Sequence, residues 1–504
     1  ATDGFIELGG HSLLMMQMAG RIQARFGCHL PLLAIFQAKS LRDLAELIDT
    51  HAKSTSFQAG RIPRQPEQET APLSLMQQRI WFVEQLEPGR PTYHIPSAQR
   101  LLGKIDEGAL YEAIKGLVSR HPSLRTVIDA GGHEPQQRVL PHVEVHLLPI
   151  EDLSSFAASE REQALEQRLE ALTIAPFDLE KGPLFRVKLF RLAEDEHVLF
   201  LCQHHLISDG WSMQLAQKEI SVRYEALRLG KVPSLSPIEV SYGDFAAWQR
   251  KWLESGALEK QIEHWRKRMT PQPDPLQLPT DFVRPARPSN RADNVFIEVP
   301  RTTCLRIDSL ARSLNATTYI VALAAYAAWL ARHTGQTDIV IGTPIRGRQD
   351  VEVEHVLGFF ANMLPLRVTI DLNRPFTELV RSVREVVFDA FENPDVPMER
   401  IVREVNVARD ESRAPLYQTL FGFQDAQRWE GRLGDLKAIS VRAPVKGIAE
   451  DLTIWMWNAP DGLKAYFTYP LDLFTQETAT LMAHRYLLAL DHAAHHPEMR
   501  MSDW

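Results

Sequence analysis

Two short stretches of this 504-residue sequence gather residues able to do chemistry. "QHHLISDGWS", residues 203–212, sets His204 and His205 side by side at the end of an apolar run, with Asp209 and Gly210 close behind. Imidazole titrates near neutrality, so either histidine is a candidate proton acceptor or metal ligand, and a carboxylate is a common orienting partner for such a ring. "ELGGHSLL", residues 7–14, places Ser12 after two glycines and a histidine and directly ahead of a helical pattern. A serine there is a natural N-cap. The same position also offers unpaired backbone N–H groups and a positive dipole end.

The elements around these residues narrow the choices. "HVLFLCQHH" reads as a strand, in which adjacent side chains point to opposite faces, so His204 and His205 cannot both reach one atom. One serves a site and the other supports it. Metal is disfavoured for the same reason, since adjacent histidines chelate awkwardly and no third ligand stands at a familiar spacing. Asp209 ahead of Gly210 also suits a simple turn.

Residues 1–52 read as a small helical unit. "HSLLMMQMAGRIQARFG" carries apolar residues at helical spacing and stops at Gly27, and "SLRDLAELIDTHA" is a second amphipathic helix capped by Ser40, with a short loop between them. Residues 53–72, with "KSTSFQAGRIPRQPEQET", have linker composition. A free segment of about eighteen residues extends to about 60 Å at most. Beyond it, β-branched runs alternate with amphipathic stretches, the mark of a mixed α/β architecture too long for one core. Lobes at 73–250 and 251–504 are expected, with "SYGDFAAWQRKWLE" and the Pro-rich "MTPQPDPLQLPTDFVRPARPSN" near the division. A cleft between two lobes is a favoured place for a substrate site.

Composition excludes several functions. The net charge of −8 is spread without like-charge blocks and gives no footprint for nucleic acid or an anionic membrane. No run has the apolar length of a membrane helix. The start lacks the pattern of a secretory signal, and three scattered cysteines, Cys28, Cys202 and Cys304, fit a reducing, cytoplasmic compartment.

"DGFIELGGHSLL" resembles the core motif of the carrier (thiolation) domains of nonribosomal peptide synthetases. The resemblance implies a covalent 4′-phosphopantetheine arm on Ser12, with the glycines leaving room for the modifying enzyme. It also implies a helix ahead of the motif, for which little sequence is present, so a helical bundle lacking its first helix is expected.

"HHLISDG" resembles the HHxxxDG signature shared by condensation domains and chloramphenicol acetyltransferase-like acyltransferases. "LSLMQQRIWFVEQLEPGRPTYHIP", "SRHPSLRTVI", "SYGDFAAWQR", "IVIGTPIRGR", "GFFANMLPLRV" and "RDESRAPLYQ" follow that family's order. The implied fold is two chloramphenicol acetyltransferase-like lobes in a V-shaped pseudo-dimer with a tunnel between them. His205 then corresponds to the catalytic histidine, within a motif that also includes His204, Asp209 and Gly210. By resemblance Asp209 pairs with Arg125 of "LRT" and shapes the loop, while Gly210 leaves space for an acceptor arm. Arg346 and Arg348 of "PIRGR" read equally well as solvated loop charges or site residues. "RDESRAP" resembles a loop by which the second lobe reaches across to the first.

The implied reaction is amide formation, in which the α-amine of a downstream aminoacyl-carrier attacks a thioester on the upstream carrier. Holding two arms in one tunnel removes roughly 7 to 11 kcal/mol of barrier, and a neutral imidazole can both orient the amine and accept its proton. The implied partners are a downstream carrier, an upstream adenylation domain and a phosphopantetheinyl transferase. The "ISDGWS" continuation resembles the subtype taking an L-configured donor. Rival readings are an acyltransferase using diffusible coenzyme A thioesters, which the fused "LGGHSLL" unit argues against, and a non-catalytic platform recruiting tailoring enzymes. Such platforms typically have a damaged histidine motif, which is intact here.

Overall fold

The computed structural model describes residues 12–28, 30–38, 40–52, 62–65, 69–86, 88–143, 150–348, 350–408, 410–424, 431–441, 447–459 and 462–504. The N-terminal unit contains helices Ser12–Phe26, Leu32–Gln37 and Leu41–Ala52. The middle helix occupies the stretch expected as a loop and is entered from Pro31, whose backbone suits a helix start. Met15, Ile22, Ile35 and Leu44 form the inner face of this unit. Phe36 carries that apolar surface onto the second lobe, its ring 5.1 Å from that of Phe388.

The first lobe is built on a six-stranded sheet in the order Gly431–Leu433, Leu436–Val441, His94–Leu102, Glu196–His204, Phe185–Ala193 and Glu151–Asp152. The central strand Glu196–His204 is buried at every position after the first, as expected for a strand covered on both faces. Its last residue, His204, lies opposite His94 in the antiparallel register. Helices Glu107–Arg120 and Gly210–Arg228 supply Ile114, Leu117, Ala216 and Ile220 to this lobe's core.

The second lobe has its own six-stranded sheet, ordered Asn362–Thr369, Asp338–Ile345, Thr419–Gln424, Leu452–Ala459, Gly462–Pro470 and Ala292–Glu298. Helix Thr318–Thr334 is buried from Tyr319 through Ala331. Its many alanines let neighbouring elements approach closely, and Gly335 ends it in the left-handed conformation, at φ 75°.

Three features differ from the sequence-based division. Strands Gly431–Leu433 and Leu436–Val441 lie within the second lobe's span, yet they extend the first lobe's sheet, with Leu436–Val441 pairing along His94–Leu102. This hairpin makes the crossing assigned to "RDESRAP". Arg413 of that loop instead donates to Leu276 O and Gln277 Oε1, and Ser412 O accepts from Arg284. Arg409 lies outside the described residues. The linker is also held: Ile62 is only 4% exposed, packed among Val240, Tyr242, Phe245, Val353, Val356 and Phe360. Thr70–Pro72 forms a strand with Gln136–Val139. The chain from Ala52 to Ile62 therefore reaches about 35 Å at most, not the span of a tether free along its whole length.

Candidate active site

His205 directly follows the central strand of the first lobe, and its backbone N–H donates to Tyr93 O at 2.8 Å. The residue is half-buried, and its ring lies 5.2 Å from the ring of Phe359, a residue of the second lobe. Nδ1 is 3.1 Å from Ser208 O. A carbonyl only accepts, so Nδ1 carries the proton and Nε2 presents a lone pair. Burial pushes the imidazole down to about 4, against a smaller opposing pull from Asp209.

His204 is the last strand residue and His205 the first of the following turn, so the expected strand stops one residue short, and the two rings nevertheless have different surroundings. His204 is buried, accepts the Leu206 N–H at Nδ1 (3.2 Å), and directs Nε2 toward Glu84 Oε1 at 3.5 Å. Rings of Tyr93, His94 and Phe177 surround it. The structure thus separates the two histidines, leaving His204 to pin the strand end and His205 to face the second lobe.

Asp209 caps helix Gly210–Arg228, accepting the Ser212 N–H at 2.7 Å through Oδ1, while Oδ2 accepts the Phe360 N–H at 3.0 Å. Its ion-pair partner is Arg348, at 3.3 Å, with side-chain exposures of 2% and 3%. This corrects the pairing with Arg125. The Arg125 guanidinium is held instead by Val118 O, Leu140 O and Pro141 O. Arg348 is no solvated loop charge: it also donates to Ser212 Oγ (2.6 Å), Val353 O (2.8 Å) and Val356 O (2.5 Å), and lies over the Phe360 ring. Gly347, at φ 60°, makes that approach possible, because a Cβ there would run into Phe360 O.

Arg346 stacks over Trp211 at 4.0 Å. Gly210, the last residue of the motif, opens its helix at an exposed position. Among the described residues no group of three or more His, Cys, Asp or Glu side chains is arranged to hold a metal ion.

Comparison with known proteins bears on this arrangement. The Condensation domain model matches residues 67–504 and the Phosphopantetheine attachment site model matches residues 1–48. The chain belongs to the condensation-domain family. It is 38% identical over 495 residues to one polypeptide of the linear gramicidin synthase of Brevibacillus parabrevis, covering 96% of this chain and 10% of that protein. With Tyrocidine synthase 3 of the same organism it shares 36% identity over 504 residues, covering 99% of this chain and 7% of that protein. The chain thus spans a tenth or less of these two relatives. A solved structure, the complex of the X-domain and OxyB from teicoplanin biosynthesis, superimposes with a TM-score of 0.77 at 28% identity, over 89% of this chain and 98% of that one.

The match at the N-terminus indicates covalent phosphopantetheine, and the local structure suits it. Ser12 is the first residue of a fifteen-residue helix with no acidic side chain in its first turn, so free amides and the helix dipole meet a phosphodiester without repulsion. The Ser12 side chain lies outside the described residues.

Several residues of the condensation site escaped the sequence reading. Phe359, Phe360 and Tyr242 stood inside "GFFANMLPLRV" and "SYGDFAAWQR" with no role assigned, and Glu84 and Tyr93 inside the opening segment. The signal was in view, a polar residue or aromatic pair within each segment, but only folding brings them to the histidines.

Proposed function

We propose that this condensation domain joins an acyl or peptidyl thioester, carried on an upstream carrier, to the α-amine of an amino acid on a downstream carrier. The observation that carries this reading is the His205 imidazole beside Phe359 of the second lobe, with Nδ1–H fixed on Ser208 O and the Nε2 lone pair left to receive an N–H. The phosphopantetheine arm presents the acyl group as a thioester, an activated donor.

The depressed basicity of His205 sets its task. Taking a proton from an ammonium of pKa about 8 onto an imidazole near 4 is uphill by about 5 kcal/mol. The amine therefore arrives neutral, and Nε2 orients it by accepting one N–H. As the N–C bond forms and the C–S bond breaks, the nitrogen becomes cationic and far more acidic, and its proton passes through Nε2 toward the departing sulfur. Alignment supplies most of the acceleration, and Asp209, locked to Arg348 and to the Phe360 N–H, maintains the turn that aims the ring.

The fused carrier supports a tethered donor over a diffusible coenzyme A thioester. An upstream adenylation domain and a phosphopantetheinyl transferase complete the reading as partners that load Ser12. The "ISDGWS" continuation supports an L-configured donor. Three buried free cysteines suit a reducing, cytoplasmic compartment. The test is dipeptide formation between loaded carriers, using L- and D-configured donors. His205→Ala is expected to reduce turnover by at least about a hundredfold, and unchanged turnover refutes the role. A domain that binds a tailoring enzyme but forms no amide with any loaded pair would favour the recruitment reading.

A further inference from the structure

Residues 350–360, between two strands of the second lobe, contact the carrier, the linker and the histidine motif. Glu354 Oε1 accepts from Arg21 of the carrier at 2.7 Å, and Glu354 O accepts from Trp211 Nε1 at 3.4 Å. Glu352 Oε2 accepts the backbone N–H of Ile62, in the linker, at 3.0 Å. At the other end, Phe359 packs on His205 and Phe360 N–H holds Asp209.

Ile62 joins these ends. Its side chain fills a small apolar cluster with Val240, Tyr242, Phe245, Val353, Val356 and Phe360, separate from the cores of both lobes. The Tyr242 ring meets Phe360 edge-on at 4.9 Å, and its hydroxyl donates to Phe359 O at 2.7 Å. Three residues on, the Gln65 N–H donates to Asp244 Oδ1 at 2.8 Å, and Asp244 completes the capping box of helix Tyr242–Glu254. A linker serving only as a spacer has no need of a buried branched side chain or of two backbone bonds to carboxylates. Interiors this closely packed transmit a displaced ring instead of absorbing it.

We infer that Ile62 is a positioning residue for the condensation site: by packing with Tyr242 and Phe360 it pins residues 350–360, and so holds Phe359 against the His205 ring. The inference rests on the reaction proposed above. It gives the linker a part in chemistry on any donor, including one that never occupies the carrier.

The test uses the full chain with a diffusible acyl-pantetheine donor and an aminoacyl-pantetheine acceptor, chosen as a pair the wild type turns over. Ile62→Ala is expected to lower kcat about tenfold, with KM within about twofold, because a small misplacement at the reacting centre is felt mainly in the rate. Ile62→Val should retain most of the rate. Tyr242→Phe, which removes the hydroxyl bonded to Phe359 O and to Ser74 Oγ and leaves the ring in place, should lower kcat too and carries the test if Ile62→Ala does not fold. Wild-type kcat in both Ile62→Ala and Tyr242→Phe on the diffusible donor overturns the inference, even if transfer from loaded Ser12 falls, since the linker is then only a tether. NMR of histidine-labelled protein reads His205 without turnover: its ring resonances should shift in Ile62→Ala, and unmoved resonances also overturn the inference. A wild type that makes no amide with any pair refutes the proposed reaction alone and leaves the NMR arm to decide this one.

Discussion

Replacing Arg348 with methionine removes the cation that faces Asp209 while keeping most of the side chain's volume. Both groups are nearly inaccessible, so the carboxylate left behind cannot recover water. Removing one member of a buried pair typically costs about 3 to 5 kcal/mol. Asp209 keeps two backbone donors, from Ser212 and Phe360, which argues for the lower part of that range. The carbonyls of Val353 and Val356 and the Ser212 hydroxyl also lose a donor, which argues against anything smaller. A loss of about 3 to 4 kcal/mol is thus expected, within reach of a domain whose total stability is about 5 to 15 kcal/mol. The assay is urea denaturation of wild type, Asp209→Asn, Arg348→Met and the double variant. The cycle should return a coupling of at least about 1 kcal/mol, since the double variant strands no charge. The same cycle with Arg125→Met should return none, because Arg125 is bonded to the carbonyls of Val118, Leu140 and Pro141. A coupling confined to Arg125, or an Arg348→Met variant within about 0.5 kcal/mol of wild type, would refute the assignment.

Two further predictions concern pH. With His205 held near 4, the rate from pH 6 to 9 should follow the free acceptor amine, rising to a plateau above about 8 with no inflection near 6.5; initial rates of amide formation with a soluble aminoacyl acceptor measure this, and a limb near 6.5 that vanishes in His205→Ala contradicts it. Asp350 is raised to about 6, first by burial and then by Asp395 and Glu352. Its folded-state pKa lies above its unfolded value, so its contribution to stability is complete below about pH 4 and is lost as pH rises through 6, amounting to roughly 3 kcal/mol. Asp350→Asn should therefore be the more stable protein at pH 7.5 and no more stable at pH 4, read from thermal melts at the two pH values.

Much of this protein was legible before folding. Local spacing marks helices at Ser12–Phe26 and Leu41–Ala52, because the 3.6-residue period and the capping residues are properties of neighbours in sequence. The sequence pattern anticipated different surroundings for His204 and His205, although the strand ends at His204 and it is the turn after it that carries His205, and ordered motifs assigned the family. Other features depended on contacts between distant residues, which periodicity does not record. Asp209 found Arg348, 139 positions away, because the turn at Gly347 lets that guanidinium reach Asp209 and Ser212 at the start of the motif helix, while Arg125, nearer in sequence, bonds carbonyls of its own neighbourhood. The crossing hairpin 431–441 and the burial of Ile62 have the same origin. A strand edge accepts any partner of matching register, and an apolar cluster accepts a side chain of matching shape, whatever its place in the chain. Sequence by itself determined which residue types and local elements are available to the reaction. Only the tertiary structure decided which charge neutralises Asp209, which ring braces His205, and that the linker between the two domains is part of the site's support.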